Sequence, residues 1–230
     1  MIINIESVCN LSRIPVALID NPLAKTCSQI IKDDSISYQE TFLYKHYMCQ
    51  KDNSLSSFYN LDIENLKNFS CYDSFLPWYH VEPVTKFIDH AFLKQNDDYI
   101  KRQIEKTKIL CDSIQSLGYV PEKFSSSDRK KGQITGYFLK YKNVKRFYVV
   151  SGNHRVSSCY AIFGKKNKIQ VDNEKFKYMK SRDKENCCFL NLPDYPKEFN
   201  VSNLLTWPSV KRGFLKPNEA EEIFKKYIFA

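Results

Sequence analysis

The residues best suited to do chemistry in this sequence stand together at Ser151-Gly152-Asn153-His154-Arg155. An apolar, β-rich run, Phe147-Tyr148-Val149-Val150, leads into Gly152. After it, Val156-Ser157-Ser158-Cys159-Tyr160-Ala161-Ile162-Phe163 reads as a short helix stopped by Gly164. A helix that starts at such a turn presents unpaired backbone N–H groups and the positive end of its dipole, and both attract anions. Gly152 allows the backbone to approach a ligand closely, while Arg155 can grip a phosphate through two parallel hydrogen bonds. His154 can donate to a transferring phosphoryl group or close the turn, since free imidazole titrates near neutrality. Ser151 or Asn153 is expected to cap the helix. The chemistry predicted here is phosphate binding; the kind of phosphate stays open.

Phosphoryl transfer would also need a carboxylate, as a base for an acceptor hydroxyl. Glu82, in His80-Val81-Glu82, is one candidate, and Glu122 and Asp128 are its rivals. No metal-ligand pattern accompanies them. The eight cysteines, Cys9, Cys27, Cys49, Cys71, Cys111, Cys159, Cys187 and Cys188, contain no Cys-x-x-Cys pair. The stretch Met1-Ile2-Ile3-Asn4-Ile5-Glu6 lacks the basic-then-apolar order of a secretory signal, so reduced, buried thiols and a cytoplasmic protein are expected.

Several elements must position the turn. Ile134–Leu139 reads as a strand that reverses at Lys142-Asn143 into Phe147–Val150, making a hairpin. Lys168-Ile169-Gln170-Val171 reads as the strand after the short helix. Val84 to Gly118 reads as mostly helical, divided near residues 95–98, with Lys101, Glu105 and Lys108 outside and Ile104, Ile109, Ile114 and Leu117 inside. Toward the N-terminus, Ile14–Ile19 is expected to be an edge strand or extended arm because Pro15 interrupts it. Ser37-Tyr38-Gln39-Glu40 has capping-box spacing ahead of an aromatic stripe, Tyr38, Phe42, Leu43, His46 and Tyr47. Trp78, bracketed by Pro77 and Pro83, lies on a segment that either anchors a loop or lines a cleft. Pro217 opens a final helix whose inner side is Ala220, Ile223, Phe224 and Tyr227.

A chain of 230 residues with 43% hydrophobic and 14% aromatic content can bury one substantial core. No apolar stretch reaches the roughly 18 residues that a membrane helix needs. The formal charge of +9 is compatible with nucleotides, nucleic acid or membrane phosphates. It is spread over short clusters such as Arg129-Lys130-Lys131 and Lys165-Lys166, so it selects none of them.

The order helix, strand, Gly-Asn-His-Arg turn, short helix, glycine, strand, over Ile109 to Val171, resembles the ParB/sulfiredoxin-like superfamily. The resemblance implies an α/β (α+β) fold with a small mixed sheet, and a turn of Gly152, Asn153, His154 and Arg155 that holds nucleotide phosphates. It divides the chain into a helical, aromatic extension (1–83), a core (84–180) and a C-terminal extension ending in a helix (181–230). Sulfiredoxin carries its catalytic cysteine beside this turn, where Ser151 and Asn153 stand here, which argues against sulfinic-acid reduction. ParB proteins pair the fold with a helix-turn-helix and adjacent arginines, neither of which this chain offers clearly. The free-serine kinases of the superfamily have Gly-x-His-Arg turns and a His-Glu pair, to which His80-Val81-Glu82 is loosely similar. Trp207-Pro208 and Gly213 also resemble the tails of ParB-like proteins from bacterial surface-polysaccharide gene clusters. The resemblance therefore implies a kinase-like protein using ATP or ADP with Mg²⁺, and a small polar molecule or glycan precursor as acceptor. A DNA-binding or nuclease module, or a nucleotide sensor without turnover, is the alternative.

Overall fold

The hairpin read from the sequence lies at the centre of a sheet. The computed structural model describes residues 1–10, 17–48, 54–71, 73, 75–83, 96–121, 133–172 and 198–230. Among these, β1 (Ile2–Asn4), β2 (Val8–Asn10), β3 (Ile134–Tyr141), β4 (Val144–Ser151), β5 (Lys168–Asp172) and β6 (Glu198–Asn200) build one mixed sheet. Its order is β1-β5-β3-β4-β2. The β3–β4 pair is antiparallel and reverses at Lys142-Asn143, with Lys142 in the left-handed region at φ 52°. On the other side of β3, β5 pairs in parallel with Ile134–Thr135 and β6 in parallel with Phe138–Lys140.

The hairpin register shifts between Thr135 and Gly136, so that Thr135 faces Ser151 and Gly136 faces Val149. This bulge explains Gly136: a Cβ there would sit 1.9 Å from the Tyr148 carbonyl oxygen. No side chain fits.

Helices cover both faces of the sheet. Residues alternate along β4, so Phe147 and Val149 point to one core while Tyr148 points to the other. The first core joins Phe147 and Val149 to Ile5, Ile114, Ile134, Val156 and Val171. It lies under α1 (Pro22–Lys32), which packs on α2 (Phe42–Met48). The second core is aromatic and joins Tyr137 and Tyr148 to Trp78, Trp207, Phe224 and Tyr227. It is enclosed by α3 (Leu55–Tyr59), α4 (Glu64–Lys67) and, later in the chain, the C-terminal helices.

Among the described residues there are four further α-helices: α5 (Asp97–Leu117) and α6 (Asn153–Phe163) beside α1, then α7 (Pro208–Lys211) and α8 (Pro217–Ile228) on the aromatic side. The expected inner side of α8 is buried, as read. Trp78 is an anchor: it is 2% exposed, and its indole N–H donates to the Tyr137 hydroxyl at 3.0 Å. Phe224 and Tyr227 meet its ring edge to face.

Three local readings differ from the structure. Of the Ile14–Ile19 run, residues 14–16 lie outside the described residues, and Leu18–Asp20 is a turn of 3-10 helix rather than a strand. The signal that prevails is Asn21-Pro22: the Asn21 side chain accepts from Leu23 N–H at 2.9 Å, and Pro22 opens α1. On α5 the buried positions are Ile100, Ile104, Thr107, Cys111 and Ile114, a 3.6-residue stripe. Ile109 falls off it and is 70% exposed, and Leu117 is exposed too. In α2, Leu43 and Tyr47 turn inward while Phe42 lies outside. No helix among the described residues is long and apolar enough to cross a membrane.

Candidate functional site

The Gly152 turn is built by three neighbours. Strand β4 runs as far as Ser151, Gly152 takes φ 98° and ψ 20°, and α6 begins at the next residue. A Cβ on Gly152 would lie 3.0 Å from Ile134 Cα and 3.3 Å from the Gln133 carbonyl oxygen. The turn is therefore pressed against the start of β3, in a conformation that glycine alone adopts freely.

The cap differs from the expectation. Gly152 itself is the N-cap residue, Ser151 ends the strand, Asn153 is already helical, and no side chain caps the helix. The left-handed glycine reverses the chain in one residue, which leaves neither neighbour in the capping position. The first internal bond runs from Val156 N–H to the Gly152 carbonyl. The amides of Asn153, His154 and Arg155 thus precede the helical ladder, where helix geometry supplies no acceptor.

Around this end, polar atoms are buried without partners. Gln133 Oε1, Asn153 Oδ1, His154 Nε2, Arg155 Nε and Ser157 Oγ each lack a hydrogen bond and are shielded from solvent. Ser157 is 0% exposed and one helical turn beyond Asn153. Unpaired buried polar atoms each cost about 1–3 kcal/mol, so their concentration at one helix end makes it the candidate site.

The electrostatics agree. Burial, and after it the nearby cations of Lys106 and Arg155, push the His154 imidazole down to about 4. His154 is therefore neutral near pH 7, in a positive field. Folding then binds fewer protons than the unfolded chain, between the unfolded value near 6.5 and the folded value near 4. Stability is fully present above pH 6.5 and falls by up to about 3 kcal/mol as pH drops to 4. His154→Gln should flatten that acid limb in urea titrations across pH 4–7. An unchanged limb would place the titrating group elsewhere.

Behind the turn, α6 is fixed by a buried thiol–hydroxyl cluster. Ser158 Oγ lies 3.3 Å from Cys111 Sγ on α5 and 3.7 Å from Cys27 Sγ on α1. Burial raises the Cys27 thiol, whereas hydrogen bonds from Cys27 and Ser158 favour the Cys111 thiolate. Cys9, Cys27, Cys111 and Cys159 are free, buried thiols, as the composition implied, and Cys71 is buried too; Cys49, Cys187 and Cys188 lie outside the described residues.

The structure brings Gly152, Asn153, His154 and Arg155 together and leaves Ser151 exposed at the strand end. Glu82 is exposed, and the Phe75–Tyr79 segment before it packs into the aromatic core, across the sheet from α6. His80 is buried, with Nδ1 accepting from Leu76 N–H at 2.8 Å. Glu122 and Asp128 lie outside the described residues.

Gln133, Ser157 and Lys106 were not singled out from the sequence. A signal for Gln133 existed: extending the hairpin register past Thr135–Ser151 brings it to the α6 end. For Ser157, the i,i+4 relation to Asn153 was available. Lys106 reaches His154 only through helix packing. No family model, curated protein or solved structure matches this chain.

Proposed function

We propose that this chain binds the phosphates of a nucleotide at the N-terminus of α6 and transfers a phosphoryl group to a small polar acceptor, such as a surface-glycan precursor. One observation carries the binding half of this reading: an uncapped helix end, opened by a left-handed glycine, gathers buried polar atoms without partners. Phosphate oxygens are suited to accept from the three first-turn amides and from Arg155 Nε–H. Lys106 and Arg155 supply the positive field that a polyphosphate needs.

ATP or ADP fits these groups. Mg²⁺ would accompany the phosphates, held in part by one or two carboxylates. In the reaction, the amides and Arg155 would hold the phosphates and offset the charge that develops on them. Neutral His154 can then offer one hydrogen bond without adding charge.

The test is calorimetric titration of the purified chain with ATP, ADP and CTP, with and without Mg²⁺, beside a duplex DNA control. Saturable nucleotide binding is expected. DNA binding that falls steeply with salt, with no nucleotide signal, would replace this reading by nucleic-acid recognition.

A further inference from the structure

We infer that Cys27 on α1 and Cys111 on α5 form a redox-active thiol pair, which hydrogen peroxide converts to an interhelical disulfide beside Ser158 of α6. This inference does not rest on the phosphate reading. Both sulfurs meet one hydroxyl: Ser158 Oγ lies 3.3 Å from Cys111 Sγ and 3.7 Å from Cys27 Sγ. The two thiols also hydrogen-bond to each other. Helix α1 packs directly on α5, so residues distant in sequence present their sulfurs at hydrogen-bond distance. A disulfide needs them at about 2.0 Å.

Packing alone does not account for the arrangement. The surroundings are apolar and include Leu23, Ile30, Ile100 and Ile104. A buried helical serine in such a place ordinarily turns its hydroxyl to the carbonyl one turn back. Ser158 has the two thiols as its partners instead, and all three residues are 0% exposed. Thiols are weak donors and weak acceptors, so the hydroxyl gains little from them. The thiols gain more. A hydroxyl that accepts from the Cys111 S–H can turn and donate to the sulfur once the proton leaves. The Cys27 thiol, and after it Ser158, thereby hold the Cys111 thiol below its ordinary range, against the effect of burial. The thiolate is the form that attacks.

In the first step the Cys111 thiolate attacks one peroxide oxygen and the O–O bond breaks. The leaving hydroxide takes up the proton that Cys111 released and departs as water, which leaves a sulfenic acid on Cys111. The Cys27 sulfur then attacks the Cys111 sulfur. The S–O bond breaks, and the hydroxyl departs as a second water with the Cys27 proton. Two thiols have lost two electrons, and one hydrogen peroxide has become two waters. Full burial selects the oxidant: it shuts out glutathione disulfide, whereas hydrogen peroxide is close to water in size and enters on local opening.

The experiment treats the reduced, folded chain with hydrogen peroxide, alkylates the remaining thiols in denaturant, and maps unreduced peptides by mass spectrometry. A Cys27–Cys111 linked peptide is expected, absent when dithiothreitol precedes the mapping. The linked chain should keep its far-UV circular dichroism and melt about 5 °C or more above the reduced one, because the bond closes a long loop. In Cys27→Ala the same treatment should leave Cys111 as a sulfenic acid that dimedone captures on denaturation, roughly tenfold more than in wild type. Full alkylation of Cys27 and Cys111 after peroxide would overturn the inference, as would Cys111 linked to Cys159 instead. A linked chain that melts below the reduced one would also overturn it, since the bond would then oppose the native packing. Should Cys27→Ala lose its circular dichroism, the wild-type peptide map and melting point decide alone.

Discussion

Arg155→Ala is expected to weaken nucleotide binding by about a hundredfold while leaving the protein folded. Two charge-assisted hydrogen bonds to phosphate contribute roughly 3 kcal/mol together, which sets that factor. The fold should survive because Arg155 is only half-buried and its Nε bonds to no other group in the protein. Removing it leaves no other group orphaned. Arg155→Lys should recover part of the loss, since an ammonium restores charge without the planar fork. Calorimetry on the three proteins decides it, with circular dichroism as the folding control. Unaltered affinity in Arg155→Ala would remove Arg155 from the site and the phosphate reading with it.

Trp78→Ala should have the largest effect on stability, about 4 kcal/mol. The indole is 2% exposed and lies among Tyr148, Trp207, Phe224 and Tyr227, with ring centroids 5.1–6.2 Å away. Its removal leaves a large cavity in the aromatic core and takes the indole donor from the Tyr137 hydroxyl. Trp78→Phe keeps most of the volume and loses the donor, so about 1–2 kcal/mol is expected. Urea midpoints at constant m-value measure both. Equal midpoints for wild type and Trp78→Ala would mean that the surrounding rings close the space, contrary to the packing described.

These two residues show what the sequence made legible. The hairpin, the α6 turn and the closing helix each announce themselves through local signals: alternation, a glycine at a reversal, a proline at a helix start. Gly152 could be read as the reversal into α6 because that signal is local to the turn. Trp78 could not be decided between core and cleft, because its neighbours come from β3, β4, α8 and the stretch around Trp207, all distant in sequence. The same holds for Lys106, whose relation to His154 exists only once α5 packs beside α6. Strands β1 and β2 are three residues each, too short for a periodicity to show, and they form because β5 and β4 offer partners. Ile109 was misplaced by treating apolar character as burial, where the helical stripe of α5 runs through Cys111 and Thr107. Local chemistry is written in order along the chain; packing is not.

The way β5 and β6 share one edge of β3 has an engineering consequence. Both run parallel to β3, and Asp172 faces Thr135 while Glu198 faces Phe138. The end of one and the start of the other are thus three positions apart on the same strand, roughly 10 Å. Together they act as a single edge strand, cut once and rejoined through residues 173–197. The sheet sets no minimum on that connection beyond the few residues needed to bridge the cut. A connection of that minimum length would leave the described pairings of β5 and β6 with β3 in register.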